Sequence, residues 1–294
     1  MITVNGLSKK IKDINILDNI SFELSKSSIV GLLGRNGAGK TTLIEILSNL
    51  QKPTTGNVYL KNIRVQQWKD IYKNIGVCIE PRMPEYLTVY EYLKQVSILR
   101  KESPFNIDKT LQILDLDRQS KVKIKNLSFG LTQRVGIASA ILGDPDILLL
   151  DEPFVGLDPI GIKKLAKHLT ERRDNGATIL VSSHQLSDIE TLIDSLIYID
   201  NGCIVENIKT EEILEHSILL LKTSNNTLAK NILSKKFGID KIFKERELLK
   251  LRIKNSFYND IVEELNRSEI DVIYEELIPM NLEHFFMDGV INDK

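Results

Sequence analysis

The segment Gly34-Arg35-Asn36-Gly37-Ala38-Gly39-Lys40-Thr41-Thr42 contains the spacing G-x-x-x-x-G-K-[ST]. That spacing suits phosphate chemistry. Glycines let the backbone turn tightly, so successive N–H groups can point inward at phosphate oxygens. A helix that follows the loop adds the partial positive charge of its N-terminus. Lys40 can reach the β- and γ-phosphates of a nucleotide, and Thr41 can offer its hydroxyl to Mg²⁺.

Ile147-Leu148-Leu149-Leu150-Asp151-Glu152 carries the second set of reactive groups. Four apolar residues predict a buried strand with two acids at its C-terminal end. In an open α/β sheet that edge holds the ligand. Asp151 is the candidate metal holder, directly or through water. Glu152 is the candidate that accepts a proton from an attacking water or orients it. Ser183-His184 closes another apolar run, Thr178–Ser182, so His184 is a candidate contact for the γ-phosphate. Leu127-Ser128-Phe129-Gly130-Leu131-Thr132-Gln133-Arg134 precedes a helical stretch, Val135–Leu142, with Ser128 as the candidate N-cap. A helix start is an anion site, but by itself this segment reads as an ordinary cap.

These groups need a scaffold. Ile29–Leu33 reads as a strand before the glycine-rich turn, and Thr41–Leu50 has helical spacing. Asn74–Ile79, Ile147–Leu150, Thr178–Ser182 and Ser195–Ile199 are further short apolar runs, as expected of parallel strands covered on both faces. From about residue 81 to 139 helical patterns such as Val89–Arg100 and Asp108–Leu116 replace the strands, which suggests a helical insertion. After residue 215 the order becomes strand, helix, strand, strand, helix, strand, predicting a small α+β unit over 216–294, ferredoxin-like in outline. Asn281–Phe286 reads as a packed final helix.

Composition narrows the class. The chain has 294 residues, with 39 Lys+Arg against 40 Asp+Glu, a formal charge of −1. A protein dominated by phosphate-backbone binding would show a basic excess, so nucleic acid is not the expected partner. Two cysteines, Cys78 and Cys203, build no disulfide framework. Cys78 sits in an apolar run and reads as a small core hydrophobe. No run of about 18 apolar residues is present to span a membrane as a helix.

Taken together, the segments resemble the ATP-binding cassette (ABC) ATPases over about residues 1–215. Gly34–Thr42 resembles the family's Walker A loop and Ile147–Glu152 its Walker B strand. Val155-Gly156-Leu157-Asp158 resembles the D-loop, His184 the switch histidine, Leu127–Leu131 the signature, and Leu87-Thr88-Val89 an element of the helical subdomain. The resemblance implies a RecA-like P-loop NTPase core with an antiparallel β subdomain and a helical subdomain, and ATP with Mg²⁺ as ligands. It also implies a head-to-tail dimer in which Ser128 and Gly130 of one copy meet the γ-phosphate bound by the other. Three positions depart from the pattern. The signature has Phe129 and Leu131 where glycine and glutamine are common. The Q-loop position holds Glu80, a carboxylate that can still take Mg²⁺ or water but brings a charge. Ile11 occupies the place of the usual base-stacking aromatic.

Glu80 with this signature resembles the ATPases of lantibiotic-immunity and bacitracin-resistance exporters; another drug or peptide exporter of similar build is the alternative within the family. The implied function is ATP hydrolysis that powers export through a separate membrane permease, with the chain held peripherally at the cytoplasmic face. Arg82, Met83, Tyr86 and Tyr90 are the candidates for docking that permease, against a plain reading as a solvated loop and packed helix. Trp68 reads as core or rim. The competing function is a non-transport ABC ATPase acting on ribosomes or nucleic acid, which the single cassette and balanced charge disfavour.

Overall fold

The computed structural model describes residues 2–67, 71–80, 82–100, 105–239, 242–245 and 247–289; Trp68 and Pro81 lie outside them. The chain opens with β1 (Ile2–Ile11), β2 (Ile14–Leu24) and β3 (Ser28–Leu33), then α1 (Lys40–Leu47), β4 (Thr55–Leu60) and β5 (Ile63–Arg64). There follow α2 (Ile71–Asn74), β6 (Ile75–Cys78), α3 (Val89–Arg100), α4 (Phe105–Ile113), α5 (Phe129–Ile141), β7 (Ile147–Leu150), α6 (Pro159–Asp174), β8 (Thr178–Ser183), β9 (Ser195–Asp200) and β10 (Cys203–Lys209).

A six-stranded sheet in the order β10-β9-β3-β8-β7-β6 forms the centre of this unit, and β9, β3, β8, β7 and β6 run parallel. All four residues of β7 are buried, the pattern of a strand covered on both faces. The register aligns Leu33 with Ser183, Val181 with Leu150, and Leu150 with Cys78. The residues that follow these strands therefore emerge along one sheet edge. A second sheet, β2-β1-β4-β5, is antiparallel and shares an apolar core with the first, through Ile2, Leu24 and Leu60 on one side and Leu32, Leu149 and Ile197 on the other. Truncating a buried leucine such as Leu149 to alanine costs about 2–5 kcal/mol. Helices α3 to α5 make the helical insertion. Thr88 and Glu91 close a capping box at the start of α3: the Thr88 N–H and hydroxyl both donate to Glu91 Oε2 at 2.8 Å, and the Glu91 N–H returns to Thr88 Oγ1 at 3.2 Å. The Thr88 backbone and hydroxyl bonds hold the Glu91 carboxyl below its usual range.

The compact units divide between Asn207 and Ile208, somewhat before the boundary expected at 215/216. The difference lies in α7 (Thr210–Leu214), whose end is bonded into the second unit. Asn255 Nδ2 donates to Leu214 O at 3.0 Å, and the Asn255 N–H to Glu215 O at 2.8 Å. That unit continues with β11 (His216–Thr223), α8 (Asn226–Phe237), β12 (Ile242–Glu245), β13 (Leu248–Lys254), α9 (Tyr258–Arg267), β14 (Val272–Pro279) and α10 (Leu282–Gly289). Its four strands pair antiparallel in the order β12-β13-β11-β14. Alternate residues Leu219, Leu221, Leu249, Leu251 and Ile253 face Ala229, Leu233, Ile261 and Leu265 of the two helices. Asn225 caps α8 and Gly238, at φ +63°, ends it.

Candidate nucleotide site

The loop between β3 and α1 is anchored at both ends by buried apolar residues, Leu32 and Leu33 before it and Leu43, Ile44, Ile46 and Leu47 after it. Gly39 caps the helix at φ +105°, and a Cβ there would lie 2.7 Å from Leu17 Cδ2 and 2.9 Å from Ile16 O. Only glycine satisfies both the conformation and the space. The first-turn N–H groups of Lys40, Thr41 and Thr42 have no partner one turn back, so they face the loop with the helix dipole behind them. Around Gly37 the space is open: a Cβ at that position would meet nothing within 4 Å. Lys40 is only 6% exposed; its Nζ donates to Gly34 O at 2.6 Å and Arg35 O at 3.3 Å. A buried ammonium beside the amides of a helix start fits a polyphosphate.

The acids stand opposite. Thr41 Oγ1 donates to Asp151 Oδ2 at 2.6 Å, and Ser182 Oγ donates to Asp151 Oδ1 at 2.5 Å. Two hard oxygen donors, the Thr41 hydroxyl and the Asp151 carboxylate, fit Mg²⁺. Glu152 Oε1 lies 3.4 Å from Lys40 Nζ, and Glu152 Oε2 lies 2.8 Å from His184 Nδ1. With its proton on Nδ1, the neutral imidazole donates to Glu152 and its Nε2 accepts from Gln185 Nε2 at 3.3 Å. Glu152 itself has φ +47°, left-handed for a residue with a Cβ. Its N–H donates to Ser182 Oγ at 2.9 Å, and Gln133 Nε2 approaches its carbonyl at 3.4 Å. Beneath them, Cys78 accepts the Asp151 N–H on its carbonyl at 2.8 Å. Burial first, and the Asp151 charge second, push the Cys78 thiol up to about 12, in keeping with its reading as a core residue.

The structure thus brings Lys40, Thr41, Asp151, Glu152 and His184 together. It does not bring Glu80 to them. Glu80 leaves β6 at the same sheet edge, but its side chain is 82% exposed and pairs with Arg82 Nη2 at 3.5 Å. Among the described residues no three acidic, histidine or cysteine side chains cluster as a metal site. Ile11 ends β1 at the hairpin, paired with Ile14, and both are exposed.

Ser128 and Gly130 occupy a separate place. Ser128 is the N-cap of α5 and its Oγ accepts from the Leu131 N–H at 3.4 Å. Gly130 lies against the backbone of Gly156, so close that a Cβ would sit 2.5 Å from Gly156 O. Phe129 is 71% exposed beside them. Arg134 ties α5 to the start of α6: Nη2 donates to Asp158 Oδ1 at 2.8 Å, and Asp158 Oδ1 also caps α6 by accepting from the Gly161 N–H at 3.0 Å. The motif spacings do not point to Ser182, Gln133 or Arg134 as site residues. The one signal in the sequence is a pair of serines, Ser182 and Ser183, ending the apolar run Ile179–Val181 at the ligand edge.

A family model described as ABC transporter matches residues 17–155. The uncharacterized ABC transporter ATP-binding protein YcbN of Bacillus subtilis is 36% identical over 84% of this chain and 83% of its own length. The bacitracin transport ATP-binding protein BcrA of Enterococcus faecalis is 36% identical over 72% of this chain and 70% of its own. The lantibiotic transport ATP-binding protein SrtF of Streptococcus pyogenes is 33% identical over 76% and 99%. Among solved structures, an ATP-binding subunit of an ABC transporter superposes with a TM-score of 0.68 at 29% identity, over 72% of this chain and 91% of that one. A dimeric bacterial ABC transporter cassette superposes at 0.66 with 27% identity, over 71% and 98%; a post-hydrolysis dimer of the cassette, bound to ADP and phosphate, gives 0.66 with 26%, over 71% and 98%.

Proposed function

The chain belongs to the ABC transporter ATP-binding family, and from that premise we propose that it hydrolyses ATP to power export of an antimicrobial peptide or drug through a separate permease. The names of BcrA and SrtF support the cargo class. No helix among the described residues is long and apolar enough to cross a membrane, which fits a subunit that meets the membrane through that permease at its cytoplasmic face.

The observation that carries the reading is the circuit of Lys40, Glu152 and His184, closed at 3.4 and 2.8 Å, beside the Thr41–Asp151 pair. The amides of residues 34–42 and the Lys40 ammonium hold the triphosphate. Thr41 and Asp151 would hold Mg²⁺, which neutralises charge on the phosphate oxygens when bound. Glu152 orients the attacking water and takes its proton. His184 fixes the Glu152 carboxylate and stands where its ring can reach the terminal phosphate. Ser128 and Gly130 serve the nucleotide of a second copy in a head-to-tail homodimer; the dimeric cassette among the structural neighbours supports that arrangement.

For the permease we assign the groove of about 340 Å³ lined by Tyr72, Ile79, Arg82, Met83, Tyr92 and Leu99, together with the exposed Tyr86 and Tyr90 near it in sequence. Exposed apolar side chains around a concave surface are what a partner element covers. Changing Tyr86 and Tyr90 to alanine weakens co-purification with the permease and leaves ATP turnover of the free chain intact; the reverse pattern defeats the assignment. The function itself is tested by steady-state turnover of Glu152→Gln, which loses hydrolysis and keeps ATP binding. Unchanged turnover removes Glu152 from the mechanism.

A further inference from the structure

We propose that Ser182 is a positioning residue for hydrolysis: its hydroxyl ties Asp151 to the peptide of Glu152 and holds that peptide in its left-handed conformation. The inference rests on Glu152 as the group that handles the attacking water.

Ser182 is fully buried, near the end of β8, in the strand that pairs with β7. A serine hydroxyl has one proton and two lone pairs. The proton goes to Asp151 Oδ1 at 2.5 Å, and a lone pair receives the Glu152 N–H at 2.9 Å. One atom thereby sets the two acids relative to each other. Glu152 has a φ of +47°, which a residue with a Cβ adopts only when its surroundings enforce it. Its N–H is held by Ser182, and its carbonyl is approached by Gln133 Nε2 at 3.4 Å from the helix that starts at Ser128. That conformation sends the carboxylate toward Lys40 and His184. The Glu152 carbonyl also accepts the Val155 N–H at 3.2 Å, so without the hydroxyl the peptide keeps its carbonyl contacts, but its N–H loses its partner and the carboxylate is held less firmly toward Lys40 and His184. Asp151 keeps its bond from Thr41, so the phosphate-holding half of the site stays intact.

The test uses the purified full chain with Mg-ATP, as wild type, Ser182→Ala, Glu152→Gln and the double variant. Turnover is measured with radiolabelled ATP, nucleotide affinity with a fluorescent ATP analogue, and folding by thermal melting. Misplacing a catalytic group by an ångström costs on the order of 100-fold, so Ser182→Ala should lower kcat by about 10- to 100-fold. The affinity for nucleotide should stay within about 2-fold. On the Glu152→Gln background the same change should add less than about 2-fold, because residues that act through one group are not additive. Wild-type turnover in Ser182→Ala overturns the inference. So does a full multiplicative loss in the double variant, which means that Ser182 acts independently of Glu152. Loss of nucleotide affinity together with a lowered melting temperature assigns Ser182 a structural role only, and also overturns it. Wild-type turnover in Glu152→Gln is a different failure, that of the water-handling role itself.

Discussion

The two regions that the proposed function assigns to the nucleotide are built on opposite plans. Lys40, Glu152 and His184 are linked to one another, Thr41 is bonded to Asp151, and Lys40 and Asp151 are buried. Ser128, Gly130 and Phe129 sit at an exposed helix start whose serine hydroxyl, among the described residues, bonds to its own helix at 3.4 Å. The first half is held by bonds within the chain, which suits chemistry, since preorganised groups avoid reorganisation at the moment of reaction. On the proposed function, the contrast teaches that the groups for hydrolysis are set within one copy, while the signature surface is left for a second copy to complete.

The largest way to break this contrast is at Glu152. Glu152→Gln keeps the shape and removes the base, so turnover should fall by about 100-fold or more while ATP affinity is retained, as loss of a general base costs about 10²–10⁴-fold. The next is at Gly130. A methyl group there would sit 2.5 Å from Gly156 O and must displace that backbone. Gly130→Ala should abolish ATP-dependent dimers in size-exclusion chromatography and cut turnover by about 10-fold or more, while one copy still binds ATP, because a displaced contact surface costs orientation. Equal dimer formation in this variant would erase the division between the halves.

Those two sites differ in how visible they are in the sequence. The loop from Gly34 to Thr42 and the run Ile147–Glu152 are local: spacing and an apolar tetrad announce them, and β7 spans the residues Ile147–Leu150 that the pattern indicates. Spacing alone extends the helix after the loop to Leu50, yet it stops at Leu47. Asn49 takes φ +61°, and the Asn49 and Leu50 N–H groups turn back to Ile46 O at 3.1 Å and Glu45 O at 2.9 Å, so a left-handed C-cap ends the helix. Ser182, Gln133 and the Arg134–Asp158 link stay hidden because each depends on a residue distant in sequence that only the sheet order and helix packing bring near. Glu80 shows the converse. Its spacing places it at the ligand edge, as β6 confirms, but the bend after the strand turns the carboxylate into solvent beside Arg82. Direction is a property of the fold around a residue, and a motif position does not encode it.

A smaller effect sharpens the comparison where the halves meet the core. Arg134 is 14% exposed in its side chain and bonds both Asp158 and Leu114 O, the latter at 3.2 Å. Arg134→Ala leaves the Asp158 cap in place but removes these bonds. The cost should be about 1–2 kcal/mol, since hydrogen bonds to a charged, largely buried group contribute at that level. Thermal melting should register it as a drop of a few degrees, with ATP affinity unchanged because no bond to the Lys40 circuit is lost.

The smallest effect is read from the two thiols. Cys78 is 2% exposed under Asp151, and its pKa is raised to about 12 by burial and then by the Asp151 charge; Cys203 is exposed on β10. Only the thiolate reacts with an alkylating agent, and at pH 8 a group titrating near 12 is ionised at a level of about 10⁻⁴. Iodoacetamide at pH 8 should therefore label Cys203 within minutes and leave Cys78 unlabelled by mass spectrometry until the chain is denatured. The same probe measures how firmly the closed half is closed. Cys78 lies in the strand that pairs with β7, takes the Asp151 N–H on its carbonyl and borders the groove, so its thiol becomes reactive when the packing around β6 opens. Rapid labelling of Cys78 in the native protein would mean that the catalytic half breathes as readily as the signature half, and the division between a preset and a waiting surface would then have to be drawn elsewhere.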